Sequence, residues 1–208
     1  MTVRRILVLF AHPSLERSEI NAHLLDCARA DKHTTVVDLY AEYPNYRIDI
    51  DLEQQRLCEH DVVMFLFPLY WYSTPAMLKE WQDLVLEFDF AYGPGGTALH
   101  GKHFICACTA GGPAAAYEAT GYNRFTLREL LRPLEQTAEL CGMPYLPPFA
   151  LFGSRTAVED GRCVQHVANF KKLLSVLATG KLPGLHAPED CTINERLAAL
   201  PLDQGAQA

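Results

Sequence analysis

Several signatures that would set a function class at once are missing from this chain. Its 208 residues hold no apolar run near the roughly 18–20 residues that a membrane-spanning helix needs. The apolar stretch at 6–10 is too short for a signal-peptide core and lacks a small-residue cleavage site, so no export signal is expected. Basic charge is scarce: 18 Lys and Arg against 25 Asp and Glu leave a net charge of -7. A duplex nucleic acid is therefore not the expected partner, because phosphate neutralisation needs a basic surface. The eight His form no HExxH or similar cluster, and no metal site is expected. Neither GxGxxG nor GxxxxGK[ST] occurs, which disfavours a Rossmann dehydrogenase and a P-loop NTPase. Seven Cys are scattered without a CxxC pair. Cys106 and Cys108 stand two apart in a strand-like run, share one face, and read as buried reduced thiols, which favours the cytoplasm.

What remains is a regular alternation. Continuous apolar runs at 6–10, 62–67 and 104–108 suit parallel strands covered on both faces. A shorter β-branched run occupies 34–39. Residues 146–152 make a candidate last strand, at an edge or starting late, because Pro147 and Pro148 cannot donate to a ladder. Helical periodicity fills the gaps at 18–30, 51–59, 76–88, 126–140 and 164–177. Five βα units predict an α/β three-layer sandwich over residues 1–180. From 181 the composition changes, with Pro183, Pro188 and Pro201. That tail, 181–208, is expected either to wrap the domain or to be disordered, with a hint of one helix at 197–200.

In such a sheet, ligands bind beyond the carboxyl ends of the strands, so the loops after strands one, three and four matter most. The first, 11–21, ends in a capping Ser18, where free amides and the helix dipole make an anion site. An ordinary capped helix would look the same. The second, 67–75, carries Tyr70, Trp71 and Tyr72 in succession. Three neighbouring aromatics diverge and cannot share one core, so they offer flat surfaces for a planar ring, a dimer patch, or both. The third contains Gly111 and Gly112, which let backbone amides approach a ligand closely or simply make a turn.

These three motifs, AHPxxxxSxxN, PLYWYSxPAxLKxW and TAGG, occur in the order in which they resemble the NAD(P)H:quinone oxidoreductase family. Tyr43-Pro44, Asp49-Ile50-Asp51, the stretch 92–102 and Leu131-Arg132-Pro133-Leu134-Glu135 are similar to one subgroup, the ancillary quinone reductases of bacterial glutathione-gated potassium-efflux antiporters. The likeness covers residues 4–178. It implies a flavodoxin-like fold with strand order 2-1-3-4-5, a flavin (FMN, with FAD the alternative), NADPH or NADH as hydride donor, a quinone acceptor and a cytoplasmic homodimer. The subgroup adds an antiporter at the inner face of the membrane as a partner. By position, the resemblance places His12, Ser18, Glu19, Ile20 and Asn21 around the flavin phosphate and ribityl chain. Pro68, Leu69, Tyr70, Trp71 and Tyr72 would wrap one edge of the ring, and Thr109, Ala110, Gly111 and Gly112 another. Tyr117 falls over the catalytic face. Asn123 stands near the place of a family histidine, so a charge relay through a Tyr/His pair is not implied here. His12 is either a ligand contact or a strand-end structural residue.

Overall fold

The computed structural model describes residues 3–180 and 192–199. The apolar runs become strands buried on both faces: β1 (Ile6–Phe10), β3 (Val62–Pro68) and β4 (His103–Thr109) form the centre of one sheet. β2 (Thr34–Asp38) and β5 (Phe149–Leu151) lie at its edges. All pairings are parallel, and the order β2-β1-β3-β4-β5 is the one expected. Val8 stands between Val36 and Met64, and Thr109 pairs with both Pro68 and Leu151. The chain leaves β1 for β2 on one side and returns to β3 on the other. The loops after β1 and β3 therefore open a crevice between them.

Eight helices cover the described parts of the sheet: α1 (Glu19–Ala30), α2 (Leu39–Glu42), α3 (Ile50–Cys58), α4 (Ala76–Val85), α5 (Leu127–Leu130), α6 (Arg132–Leu140), α7 (Arg162–Thr179) and α8 (Asn194–Ala199). Strand alternation divides the core. Ile6, Val8 and Phe10 face α1 and α7, while Leu7 and Leu9 share the opposite cluster with α3, α4 and α6. Cys106 and Cys108 are both buried in that second cluster, as their shared face predicts. Glu53, fully buried, accepts hydrogen bonds from Tyr43 Oη (2.7 Å) and Trp81 Nε1 (2.8 Å) and pairs with Arg56. A buried carboxylate is tolerable only with such satisfaction, and this one ties α3 to α4.

Several boundaries differ from the sequence expectation. The last strand spans three residues, beginning directly after Pro148, since neither proline can donate to β4. The helix expected over 126–140 is two: Leu131 (φ -94, ψ 4) breaks the turn, and Pro133, which cannot donate, sits in the first turn of α6. The helix at 76–88 stops at Val85, and the run at 34–39 gives its last residue to the single turn of α2. The apolar stripe of α4 includes Met77 and Trp81. They are buried against their own sheet, leaving Phe88 exposed. In the tail, the helix is Asn194–Ala199 rather than 197–200, and Leu200 lies outside the described residues. Ile193 and Leu197 join the α7 cluster, and the Asn194 side chain exchanges two hydrogen bonds with the Ala150 backbone at the sheet edge.

His166 of α7 stacks on Phe149 at 4.2 Å between ring centroids, and its Nε2 has no hydrogen-bond partner among the described residues. Burial pushes its pKa from 6.5 down to about 4. The unfolded chain therefore takes up a proton between pH 6.5 and about 4 that the folded chain refuses, and stability falls as pH is lowered through that window. His166→Leu should remove about 2 kcal/mol of the stability difference between pH 7.5 and pH 5 in urea unfolding. An unchanged difference would show that His166 does not control it.

Candidate functional site

The carboxyl ends of β1, β3 and β4 meet the loop after β5 around a cleft of about 760 Å³. It is lined by His12, Ser18, Glu19, Ile20, Asn21, Pro68, Leu69, Tyr70, Trp71, Thr109 and Gly111, together with Arg17, Ser154 and Arg155.

After β1, Ala11 N–H still donates to Leu66 O (3.0 Å) before the chain turns away. The buried His12 accepts the Ser14 N–H on Nδ1 (3.1 Å), leaving Nε2 as the protonated nitrogen of the neutral ring. Burial holds its pKa below the usual 6.5, against the opposing pull of Glu16 and Asp38. His12 lines the cleft as a neutral imidazole at neutral pH and meets Tyr70 edge-on at 6.1 Å. A one-turn 3-10 helix, Leu15–Arg17, delivers Ser18 as the N-cap of α1, its Oγ accepting from Asn21 N–H (3.0 Å). The amides of Glu19 and Ile20 follow the cap and have no intrahelical acceptor. Asn21 donates through Nδ2 to Thr109 Oγ1 (2.9 Å), and its Oδ1 is buried without a partner among the described residues. A buried orphan acceptor in a cleft wall is a position that a donor group on a ligand would satisfy.

After β3, Leu69 N–H is held by Thr109 O (2.8 Å), and Tyr70 and Ser73 exchange backbone hydrogen bonds. Between them Trp71 (φ 47) and Tyr72 (φ 64) adopt the left-handed conformation of a type I′ turn. Aromatic residues rarely occupy it, at a cost of about 1–3 kcal/mol each. Trp71 is 93% exposed as a result.

After β4, three backbone hydrogen bonds zip the glycine loop to the loop after β5: Ala110 N to Leu151 O (2.8 Å), Ser154 N to Ala110 O (3.0 Å) and Gly153 N to Gly112 O (2.7 Å). Neither glycine has positive φ, so backbone conformation does not require them. A Cβ on Gly111 would meet Arg155 Nε at 3.5 Å, and one on Gly112 would meet the Tyr117 ring at 3.3 Å. Among the described residues the Gly111 N–H has no acceptor.

Tyr72, Ala110, Gly112, Tyr117 and Asn123 do not line this cleft. Ala110 is buried beneath it, and the others form an adjoining cluster. There Tyr72 Oη donates to Asn123 Oδ1 (3.3 Å), and Tyr117 packs on Phe152 at 5.1 Å. Burial, with the neighbouring Tyr72 and Cys108, pushes the Tyr117 hydroxyl above its usual 10. Hydrogen bonds from the Asn123 side chain and the Gly112 backbone oppose that shift. Tyr117 thus stays protonated at neutral pH, and Asn123 cannot titrate.

Arg17, Ser154 and Arg155 were not anticipated. The rule that singled out three loops applies equally to the loop after β5, but Pro147 and Pro148 obscured where that strand ends.

The flavodoxin-like fold family model matches residues 4–174. This chain belongs to the NAD(P)H oxidoreductase family of that fold. It is 47% identical over 164 residues to the glutathione-regulated potassium-efflux system ancillary protein KefG of Erwinia tasmaniensis, covering 79% of this chain and 88% of the relative. The general stress protein 14 of Treponema denticola, solved in complex with FMN, superposes with a TM-score of 0.79 at 36% identity, covering 83% and 99% of the two chains. An NADPH-quinone reductase from P. pentosaceus gives 0.74 at 30% identity, covering 82% and 97%.

Replacing Trp71→Asn and Tyr72→Gly together supplies the pair that a type I′ turn prefers. The double variant should gain about 1–3 kcal/mol and several degrees in thermal midpoint. A lower midpoint would show that the wild-type turn is not strained.

Proposed function

We propose that this chain is an FMN-dependent oxidoreductase of the cytoplasm that transfers hydride from NADPH or NADH to a quinone or similar electrophile. The observation that carries the reading is convergence. A capped helix terminus, the orphan Asn21 Oδ1, the free Gly111 amide and an exposed aromatic turn all face one cleft. Those residues suit a planar ring joined to a polyhydroxyl chain and a phosphate. The amides of Glu19 and Ile20 with the Ser18 hydroxyl would receive the phosphate. Asn21 Oδ1 would accept from a hydroxyl of the chain. Tyr70 and Trp71 would flank the ring, and the Gly111 N–H would meet its heteroatom edge.

When bound, FMN would supply the two-electron hydride chemistry that links the nicotinamide to the acceptor. The protein's share is placement and shelter. Gly111 supplies a fixed donor without a titrating side chain. Tyr117, held by Asn123 and Gly112, is a protonated hydroxyl beside the mouth, suited to orienting the acceptor rather than to relaying charge. The single cleft beside Tyr70 and Trp71 supports one approach for donor and acceptor, used in turn.

A second copy of the chain suits the exposed aromatic groups of the turn after β3 and of the segment that Tyr72 meets through Asn123: Trp71, Tyr72 and Tyr122 are 93%, 44% and 88% exposed. Exposed apolar groups gathered in this way mark an interface. A homodimer sedimenting at twice 23.3 kDa is expected at micromolar concentration, and a monomer with full turnover would refute the dimer as the working unit.

The likeness to the potassium-efflux ancillary protein supports a second reading, in which the chain binds a membrane antiporter at its cytoplasmic face and turnover is secondary. No described helix is long and apolar enough to cross a membrane by itself. Steady-state turnover with and without antiporter-containing membranes separates the two readings.

Purified protein should oxidise NAD(P)H with a quinone in parallel-line, ping-pong kinetics. Intersecting double-reciprocal lines with a detectable ternary complex would overturn the single shared approach.

A further inference from the structure

The turn after β5 carries a guanidinium whose task is not yet assigned. Arg155 makes no ion pair or hydrogen bond among the described residues. It lies against the glycine loop, where a Cβ on Gly111 would stand 3.5 Å from its Nε and 4.0 Å from its Nη2. Both residues line the cleft, at the end that receives the ring. The Gly111 N–H beside it also has no acceptor among the described residues.

The backbone that carries Arg155 is tightly held. Gly153 lies in the left-handed region (φ 62), its N–H donates to Gly112 O (2.7 Å), and Ser154 N–H donates to Ala110 O (3.0 Å). From behind, Arg162 donates to Phe152 O (2.6 Å) and Gly153 O (3.0 Å) while paired with Asp160. The two arginines of this turn are thus used differently. Arg162 is consumed by the turn together with the nearby carboxylate, and Arg155 is left over. The other charged groups of the cleft are Arg17 and Glu19 at the start of α1, and Glu19 forms no ion pair with Arg155. A permanent cation and an unused amide in one corner suit an acceptor that carries negative charge.

Hydride chemistry supplies that charge. Hydride carries two electrons and one proton, so its transfer leaves one negative charge on the flavin side and one positive charge on the spent nicotinamide. When hydride passes on, the acceptor takes one further proton from water and the flavin side returns to neutral. A proton delivered to the ring would also cancel the charge, but the groups beside the glycine loop do not offer one. Tyr117 keeps its proton at neutral pH, and Asn123 cannot titrate. A guanidinium stays charged at every working pH.

Resting on the FMN reading above, we propose that Arg155 is the electrostatic partner of the negative charge gained with hydride, so that the cleft holds reduced FMN more tightly than oxidised FMN. Gly111 contributes the neighbouring donor, and its missing side chain leaves the guanidinium its place against the loop.

The test is the two-electron midpoint potential of bound FMN, measured with the dissociation constant of oxidised FMN, in wild type, Arg155→Gln and Arg155→Lys. Arg155 is exposed, so these replacements leave the core untouched. Arg155→Gln should bind oxidised FMN within about threefold of wild type and lose roughly tenfold in its preference for the reduced form, as for one charge-assisted contact in a partly hydrated site. For a two-electron couple, that tenfold change is a fall of about 30 mV. Arg155→Lys keeps the charge without the planar fork and should retain most of the wild-type potential. A purely structural role would weaken both oxidation states equally and leave the potential where it was. An unchanged potential in Arg155→Gln, or a fall as large in Arg155→Lys, overturns the proposal. Folded wild type that takes up no flavin instead overturns the FMN reading itself.

Discussion

The parallel pairing of β1 with β3, reached only after the chain has gone out to β2, is the constraint on which the site depends. It places the two loops that follow those strands side by side with no strand between them. Burial on both faces enforces it, because Ile6–Phe10 and Val62–Pro68 are buried throughout and a slip in register would bring polar groups into the core. Bonds that outlast the strands then set the loop positions: Ala11 to Leu66, Leu69 to Thr109 and Ala110 to Leu151. The crevice is therefore a property of the sheet, and its chemistry is a property of the loops.

Those loops hold costly features. Trp71 and Tyr72 sit at positive φ, and Asn21 Oδ1 is buried without a partner among the described residues. Such costs persist where a surrounding structure over-determines them, and they concentrate where a ligand compensates. Elsewhere the same chain satisfies its buried charge fully, as Glu53 does with Tyr43, Trp81 and Arg56. The contrast separates groups built for stability from groups left available for binding.

Much of this was legible in the sequence. Continuous apolar strands and helical periodicity gave the βα alternation, because a doubly covered parallel sheet leaves no other use for such runs. The capping Ser18, the aromatic run and the paired glycines marked three of the four walls of the cleft. The fourth was hidden. Strand β5 is only three residues long behind two prolines, so the Gly153–Arg155 turn carried no periodic signal. The break at Leu131 was also illegible, because the apolar spacing continues across it and only the backbone angles reveal two helices. The burial of Met77 and Trp81 could not be told from exposure on one helical face without knowing that Glu53 waits beneath the Trp81 indole.

The chain carries two Trp, Trp71 fully out in solvent at the cleft and Trp81 at 1% exposure in the core beneath α4. A titration of FMN followed by tryptophan emission therefore reads the occupancy of the cleft directly. The red-shifted, solvent-exposed component should be quenched to saturation at one FMN per chain, and Trp71→Phe should abolish that change while leaving the Trp81 component. FMN binding that leaves the exposed component untouched, or quenches wild type and Trp71→Phe alike, would contradict a flavin seated against the aromatic turn.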